Sequence, residues 1–280
     1  MYNFSNPNPE PLMDEPTIIF LDEVDSTNRY ALEYFDHLPD CAMVCAASQT
    51  AGRGRFDRRW ESPSGENIYA SVIMKNLPDH KWQYAAMALS LGALDLLRNC
   101  APEADPWLKW PNDVYCGYRK ICGVLGEIKT GPGNRPSGIV GGIGININMT
   151  LENLAKINQP ATSLLVESGR NFNVKNLCHE LAIFIKGYYI MGFCNPHKLF
   201  KLWYSENRLI DRNITIETGN LTLNGRVSGF GEDGEMIFEC SSGKQMRLHS
   251  GDVRIDKNSL INPEYDSCEI GNNQRFGNKS

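Results

Sequence analysis

Two lysines, an asparagine and an aspartate crowd around a rigid Trp-Pro unit in Lys109-Trp110-Pro111-Asn112-Asp113 with the following Arg119-Lys120-Ile121-Cys122-Gly123. Charged side chains are rarely buried without partners, so this composition is wrong for a core and right for a phosphate site. Upstream lies a second cluster, Gly52-Arg53-Gly54-Arg55-Phe56-Asp57-Arg58-Arg59-Trp60. Its glycines allow the backbone to pass close to an anion and to take φ > 0. Arg53, Arg55 and Arg58 offer planar forks for phosphate or carboxylate. Trp60 offers a flat face for a purine ring, or a packing anchor. Downstream, Gly141-Gly142-Ile143-Gly144-Ile145-Asn146-Ile147-Asn148 reads as a strand that ends in side-chain amides, its small residues letting a ligand lie on the sheet. Lys109 and Lys120 are candidate phosphate partners, and Asp113 a candidate magnesium ligand, since magnesium takes one or two carboxylates plus substrate phosphates. There is no Walker A loop, and the glycine spacing of 142–146 does not fit a dinucleotide fingerprint. The clusters together point to a nucleotide-using enzyme.

The rest of the chain reads as a mixed α/β protein. Strands are expected at Ile18–Leu21, Met43–Ala47, Ile68–Met74, Leu108–Trp110, Ile121–Ile128 and Ile139–Ile147, the last three as successive strands of one sheet. Gly131-Pro132-Gly133-Asn134 is the turn before the last of them. Helices are expected at Tyr30–Phe35, capped by Asp25-Ser26-Thr27-Asn28, and at Trp82–Leu97, Val174–Phe193 and Pro196–Tyr204. Near Leu209 the texture changes to short strands at 214–217, 221–227, 236–238 and 245–248. Turn signals part them at Gly219-Asn220, Asp233-Gly234 and Ser242-Gly243. This suggests a small β-barrel appended to the α/β part. The organisation expected is a tail at 1–16, a catalytic domain at 17–208, a β domain at 209–258 and a tail at 259–280.

The net charge of −5 over 280 residues argues against bulk nucleic-acid binding, which needs a basic face. It makes the arginine cluster locally conspicuous. Nine cysteines, Cys268 among them, include no CxxC pair and read as reduced, buried small hydrophobes of a cytoplasmic protein. No signal segment or membrane-length apolar run is present in the sequence. The scattered histidines give triad chemistry no support.

These motifs resemble the biotin protein ligases. Asp25-Ser26-Thr27-Asn28, Gln49-Thr50-Ala51-Gly52-Arg53-Gly54-Arg55 with Arg58 and Trp60, Lys109-Trp110-Pro111-Asn112-Asp113 with Lys120 and Gly123, and Gly144-Ile145-Asn146 stand in family order at family-like spacing, over about Ile18 to Ile255. The resemblance implies an α/β catalytic domain related to class II aminoacyl-tRNA synthetases and a C-terminal SH3-like barrel. It implies that ATP, with magnesium, activates biotin as biotinyl-5′-AMP, and that a lysine of a biotin carboxyl carrier protein (acetyl-CoA carboxylase or similar) then receives the biotin. On this resemblance Ser26, Thr27, Asn28, Gln49, Gly52, Arg53, Gly54 and Gly123 hold biotin. Arg55 and Lys120 are catalytic and also touch it. Arg58, Trp60, Lys109, Asn112, Asp113 and Asn146 lie toward ATP, with Asp113 the candidate for metal. The segment after Asn148, through about Thr162, corresponds to the family's adenylate-covering loop. Gly251-Asp252-Val253-Arg254 matches the family's final strand only loosely, which leaves open any ligand contact from that domain.

The rival readings are a lipoate–protein ligase with the same adenylate chemistry, and a non-catalytic biotin sensor. A monomer and a sheet-edge homodimer both fit. Some family members carry an N-terminal winged helix that represses transcription; here Ile18 already begins the catalytic pattern, so no DNA binding is expected. A gel shift on the biotin-operon control region checks this, and tight, salt-robust retardation overturns it.

Overall fold

The computed structural model describes residues 15–56, 58–77, 82–218, 221–240 and 243–254. Residues 1–14 of the first expected tail, 255–258 at the end of the expected β domain, the second tail at 259–280 with Cys268, Asp57, the Gly219-Asn220 turn and Ser242 lie outside them. The elements run β1 (Ile18–Val24), α1 (Thr27–Glu33), β2 (Met43–Gln49), β3 (Ile68–Met74), α2 (Gln83–Cys100), β4 (Pro106–Lys109), β5 (Asp113–Cys116), β6 (Arg119–Thr130) and β7 (Pro136–Ile145). They continue with α3 (Leu151–Leu154), α4 (Leu164–Ser168), α5 (Val174–Cys194), α6 (Pro196–Ser205), β8 (Asn213–Thr218), β9 (Leu221–Phe230), β10 (Met236–Cys240), β11 (Gln245–Leu248) and β12 (Asp252–Arg254).

Seven strands form one sheet in the order β1-β2-β3-β7-β6-β5-β4. Only β1 and β2 pair in parallel, joined by α1; the rest of the sheet is antiparallel. β3 is central and buried along its whole length, because both faces are covered. On the back face Ala70, Val72 and Met74 join the large apolar core with α2 and α5. On the front face Ile73 of β3, Val140 of β7 and Val44 of β2 pack against Ala31 and Phe35, at and just beyond α1. Short α1 covers one end of that face and leaves the rest to loops.

Five strands form a second, antiparallel sheet in the order β11-β10-β9-β8-β12. The apolar core runs on into it without a break, through Ile216, Val227 and Phe238. Trp203 and Tyr204 of α6 meet the Phe230 ring of β9 edge-on, at 5.2 and 5.8 Å. A polar tie also joins the two sheets: Trp110 Nε1 donates to the Gly234 carbonyl at 2.8 Å.

Several sequence expectations need correction. β4 ends at Lys109, before the cis Trp110-Pro111 bond, rather than at Trp110. It does not neighbour β6, because β5 lies between them; that four-residue strand is too short to carry a periodic signal. β7 ends at Ile145, since the Ile147 N–H leaves the ladder for Asn67 Oδ1. Ser26 is the N-cap of α1, but its hydroxyl makes no capping bond, and its N–H donates to Asp25 Oδ1 instead. Cys45, Cys116, Cys122 and Cys178 are buried as expected, whereas Cys194 is exposed.

The helices α2 and α5 of the back layer approach closely at Gly92 of α2. A Cβ there would lie 2.7 Å from Ile185 Cγ1 and 3.1 Å from the Ile185 backbone nitrogen of α5. Alanine would gain about 1 kcal/mol of helix propensity, but overpacking against backbone costs about 1–3 kcal/mol. Gly92→Ala is therefore expected to lower the urea midpoint; a raised midpoint would show that the helices separate freely.

Candidate functional site

The site is built on two rows of the pleat. Strand registers place Tyr69, Gly144, Gly123 and Asp113 side by side across β3, β7, β6 and β5. Ser71, Gly142 and Leu125 form the next row. Because side chains alternate between faces, both rows share the front face that α1 leaves open. The glycines make it a shallow trough. A Cβ on Gly144 would lie 2.4 Å from the Trp60 ring, one on Gly142 2.3 Å from Asn28 Oδ1, and one on Gly123 2.9 Å from Lys120 Nζ. The small residues thus admit the protein's own Trp60, Asn28 and Lys120 onto the sheet, and a ligand must lie against these rather than on bare strand.

The arginine cluster folds as a small hairpin. Arg53 pairs with Arg59, Gly54 N–H donates to the Arg58 carbonyl (2.7 Å), and Trp60 N–H donates to the Gly52 carbonyl (3.0 Å). Gly52 is required because a Cβ there would lie 2.5 Å from the Trp60 carbonyl oxygen. The positive φ expected at the glycines falls instead on Phe56, at 55°. Phe56 is 59% exposed, with the Arg55 guanidinium 4.8 Å from its ring centroid. Arg55 Nη1 donates to Asn112 Oδ1 (3.1 Å), tying this hairpin to the turn after Pro111. Burial lowers the Arg55 pKa, against the nearby carboxylates of Asp113 and Asp252.

Lys120 forms an ion pair with Asp113 at 2.7 Å, and its Nζ lies 5.5 Å from the centre of the Trp60 ring. Its backbone is bracketed by residues 160–162, Lys120 N–H donating to the Pro160 carbonyl and Thr162 N–H to the Lys120 carbonyl. Arg58 pairs with Asp252, which arrives from β12. Burial pushes the Asp252 carboxyl up, but the Arg58 hydrogen bond and the charges of Arg58, Lys109 and Lys120 bring it net below its ordinary range. Trp60 Nε1 is buried with no partner among the described residues, a donor that an incoming ligand could satisfy.

One cavity brings together most of the residues singled out in the sequence: Ser26, Thr27, Asn28, Gln49, Arg53, Gly54, Arg55, Arg58, Trp60, Asn112, Asp113, Lys120 and Gly123. Gly52, Lys109 and Asn146 do not line it. Asn146 is buried and gives its amide to the Thr162 carbonyl (2.9 Å). Lys109 is 4% exposed, with Nζ 3.3 Å from the Tyr115 hydroxyl. The sequence reading missed Ser71, Glu127 and Asp252. Ser71 and Glu127 each sit on an expected strand, and alternation from Gly123 puts Glu127 on the front face. Asp252 stands only in the loosely matching 251–254 stretch, where nothing points to its partner 194 residues away. No cluster of three or more His, Cys, Asp or Glu capable of holding a metal occurs among the described residues.

The chain matches the biotin/lipoate A/B protein ligase family over residues 20–146. It is 31% identical to the bifunctional ligase/repressor BirA of Bacillus spizizenii over 245 residues, covering 85% of this chain and 74% of that protein. It is 27% identical to the biotin–[acetyl-CoA-carboxylase] ligase of Paracoccus denitrificans, covering 81% of this chain and 95% of that one. The structure of the biotin protein ligase from Aquifex aeolicus in complex with biotin and ATP superposes with a TM-score of 0.72 at 24% identity, covering 86% of this chain and 99% of that chain. At that identity the superposition speaks to the fold: a seven-stranded mixed sheet with a second, antiparallel one.

Lys109 carries a stability cost that can be measured. Burial lowers its pKa from 10.5 to about 8, with Asp113 opposing the shift. The folded protein therefore holds this proton less tightly than the unfolded chain. The penalty is full below pH 8 and fades as pH rises toward 10.5. Lys109→Met is expected to stabilise the fold by about 1–3 kcal/mol at pH 7 and by much less at pH 10.5. Urea unfolding at both pH values checks this; a loss of stability at pH 7 would show that the ammonium is well compensated where it lies.

Proposed function

Since the chain belongs to the biotin/lipoate A/B protein ligase family, we infer that it is an ATP-dependent ligase that activates biotin and joins it to protein. The observation that carries this reading is one trough in which Arg55, Arg58 and Lys120 meet a compact polar pocket of Thr27, Asn28 and Gln49, backed by the buried Ser71. A polyphosphate needs the first group, and a small ring with its own donors and acceptor needs the second.

In the first step a biotin carboxylate oxygen attacks the α-phosphorus of ATP. The new O–P bond replaces the bond to the β-phosphate oxygen, and pyrophosphate leaves. In the second, a neutral lysine amine of the carrier attacks the acyl carbon of biotinyl-5′-AMP. The C–N bond forms, AMP departs, and the amine's proton passes to solvent. Both steps build negative charge on phosphoryl oxygens, where fixed cations in a partly dry site act most strongly. On this reading Lys120 bridges the biotin carboxylate and the α-phosphate, and Arg55, which lines the same cavity, is the second catalytic residue. Ser26, Thr27, Asn28, Gln49, Arg53 and Gly123 surround the biotin end; Arg58, Trp60, Asn112 and Asp113 face the nucleotide. Gly52 shapes the hairpin, and Lys109 and Asn146 act toward ATP from buried positions outside the cavity lining. A polyphosphate near Lys109 would favour its charged form.

Magnesium enters as MgATP. One Asp113 oxygen is engaged by Lys120, and no protein cage is present among the described residues, so Asp113 would add a carboxylate to a metal held mainly by phosphates. Residues 149–162, whose end runs beside Lys120, would shield the adenylate from water. The division at 17–208 and 209–258, the kinship of the first part to class II aminoacyl-tRNA synthetases and the SH3-like form of the second belong to the same reading. So do a biotin carboxyl carrier partner and a cytoplasmic setting, while a monomer and a sheet-edge homodimer both fit it. No helix among the described residues is long and apolar enough to cross a membrane.

Exchange of labelled pyrophosphate into ATP, with magnesium, tests the reading. Exchange is expected with biotin and not with lipoate. Exchange only with lipoate would keep the mechanism and change the substrate, whereas none with either would leave a sensor.

A further inference from the structure

We propose that Glu127 is a positioning residue for biotin: it fixes the orientation of the Asn28 amide and ties the arginine hairpin to the biotin pocket. The proposal rests on the ligase reading above and assigns a role to a carboxylate outside the motifs that define that reading.

One Glu127 oxygen, Oε2, receives two hydrogen bonds, from Asn28 Nδ2 and from Arg53 Nη2, each at 2.7 Å. Asn28 is 4% exposed, and Nδ2 also reaches the Leu125 carbonyl at 3.2 Å. On its other side Asn28 Oδ1 lies 2.5 Å from the hydroxyl of Ser71, which is fully buried. An ionised carboxylate is an acceptor only, so just the amine side of Asn28 can face Glu127. The carbonyl side must then face Ser71 and the trough. Flipping the amide would bring two acceptors together at 2.7 Å. Glu127 thereby makes the pocket wall present an acceptor, suited to the N–H groups of a cyclic urea.

The same oxygen closes a longer circuit. Ser62 Oγ donates to the Trp60 carbonyl (3.0 Å), and Gln49 Nε2 donates to Ser62 Oγ (3.1 Å). Gln49 Oε1 accepts from the Thr27 N–H (2.9 Å), and the Thr27 hydroxyl lies 3.2 Å from Gln49 Oε1 and 2.8 Å from Ser71 Oγ; with the single Ser71 proton on Asn28 Oδ1, the single Thr27 proton serves the Ser71 link. From Ser71 the path passes through Asn28 to Glu127 and ends on Arg53. It leaves the hairpin at Trp60, crosses the pocket floor and returns to the hairpin at Arg53. Glu127 is the ionised acceptor in this path and the point where it rejoins the hairpin. A hydrogen bond to a charged group is worth more than a neutral one, so removing this carboxylate should loosen both the amide and the hairpin. The Lys120–Asp113 pair lies outside the circuit; the nucleotide end is reached only through Arg55, Arg58 and Trp60 of the hairpin and should feel the change less than the biotin pocket.

The test is biotin-dependent pyrophosphate exchange by Glu127→Ala and Glu127→Gln, with KM for biotin and for ATP measured separately. Glu127→Ala is expected to raise the biotin KM by about tenfold or more and the ATP KM, reached only through the hairpin, by a clearly smaller factor, a split that a general structural role would not produce. Glu127→Gln keeps a carbonyl for Asn28 but loses the charge opposite Arg53, so its biotin KM should fall between alanine and wild type. Hydrogen exchange gives a second readout. Biotin should protect residues 52–60 in the wild type, and less so in Glu127→Gln, which is near-isosteric should the alanine variant misfold. An active wild type with an unchanged biotin KM in Glu127→Gln and equal protection of the hairpin overturns the proposal. So does an equal rise in both KM values. A wild type with no biotin-dependent exchange overturns the ligase reading itself, and this proposal with it.

Discussion

The absence of Cβ atoms at Gly123, Gly142 and Gly144 is the constraint on which the site depends. A methyl group at any of them would enter the space now held by Lys120, Asn28 or Trp60. The arginine hairpin reaches the sheet because Trp60 can rest against Gly144. Lys120 lies between that indole and Asp113 because Gly123 gives it room. Asn28 sits low enough to meet Ser71, Leu125 and Glu127 because Gly142 is beneath it. Strand pairing sets Gly123 beside Gly144, with Gly142 in the next row of the same face, so a one-residue slip of β7 would turn its pair to the back face.

Around this trough the protein gathers cations that its net charge of −5 would not suggest. Arg55, Arg58, Lys109 and Lys120 are held by two carboxylates, Asp113 and Asp252, supplied from different sheets. Burial works against two of the four, lowering the pKa of Lys109 and of Arg55. A cluster of this kind opposes folding, and the continuous core on the back face of the sheet and through the second sheet offsets it. The cost is functional sense: fixed cations need not reorganise when phosphoryl charge develops.

Contact between the sheets is part of the site. Trp110 anchors the Lys109–Asp113 turn to Gly234, and Asp252 of β12 holds Arg58. The second sheet therefore touches both segments that would meet the nucleotide, which no reading of either half alone reveals.

The sequence by itself determined the chemical inventory and most of the elements. Alternating β-branched runs gave β3 its limits, apolar faces gave α2 and α5, and the glycine–arginine and Lys-Trp-Pro-Asn-Asp clusters marked the cavity wall. Such signals are local, carried by residues a few positions apart. Tertiary structure alone decided which side chains became neighbours. Alternation fixes only which face a residue takes, whereas strand order and register choose its companions. Hence Ser71 and Glu127, unremarkable in their strands, flank Asn28, and Asp252 enters from the far end of the chain. Lys109 and Asn146, conspicuous in the sequence, are buried and do not line the cavity, Lys109 although it shares a face with Asp113.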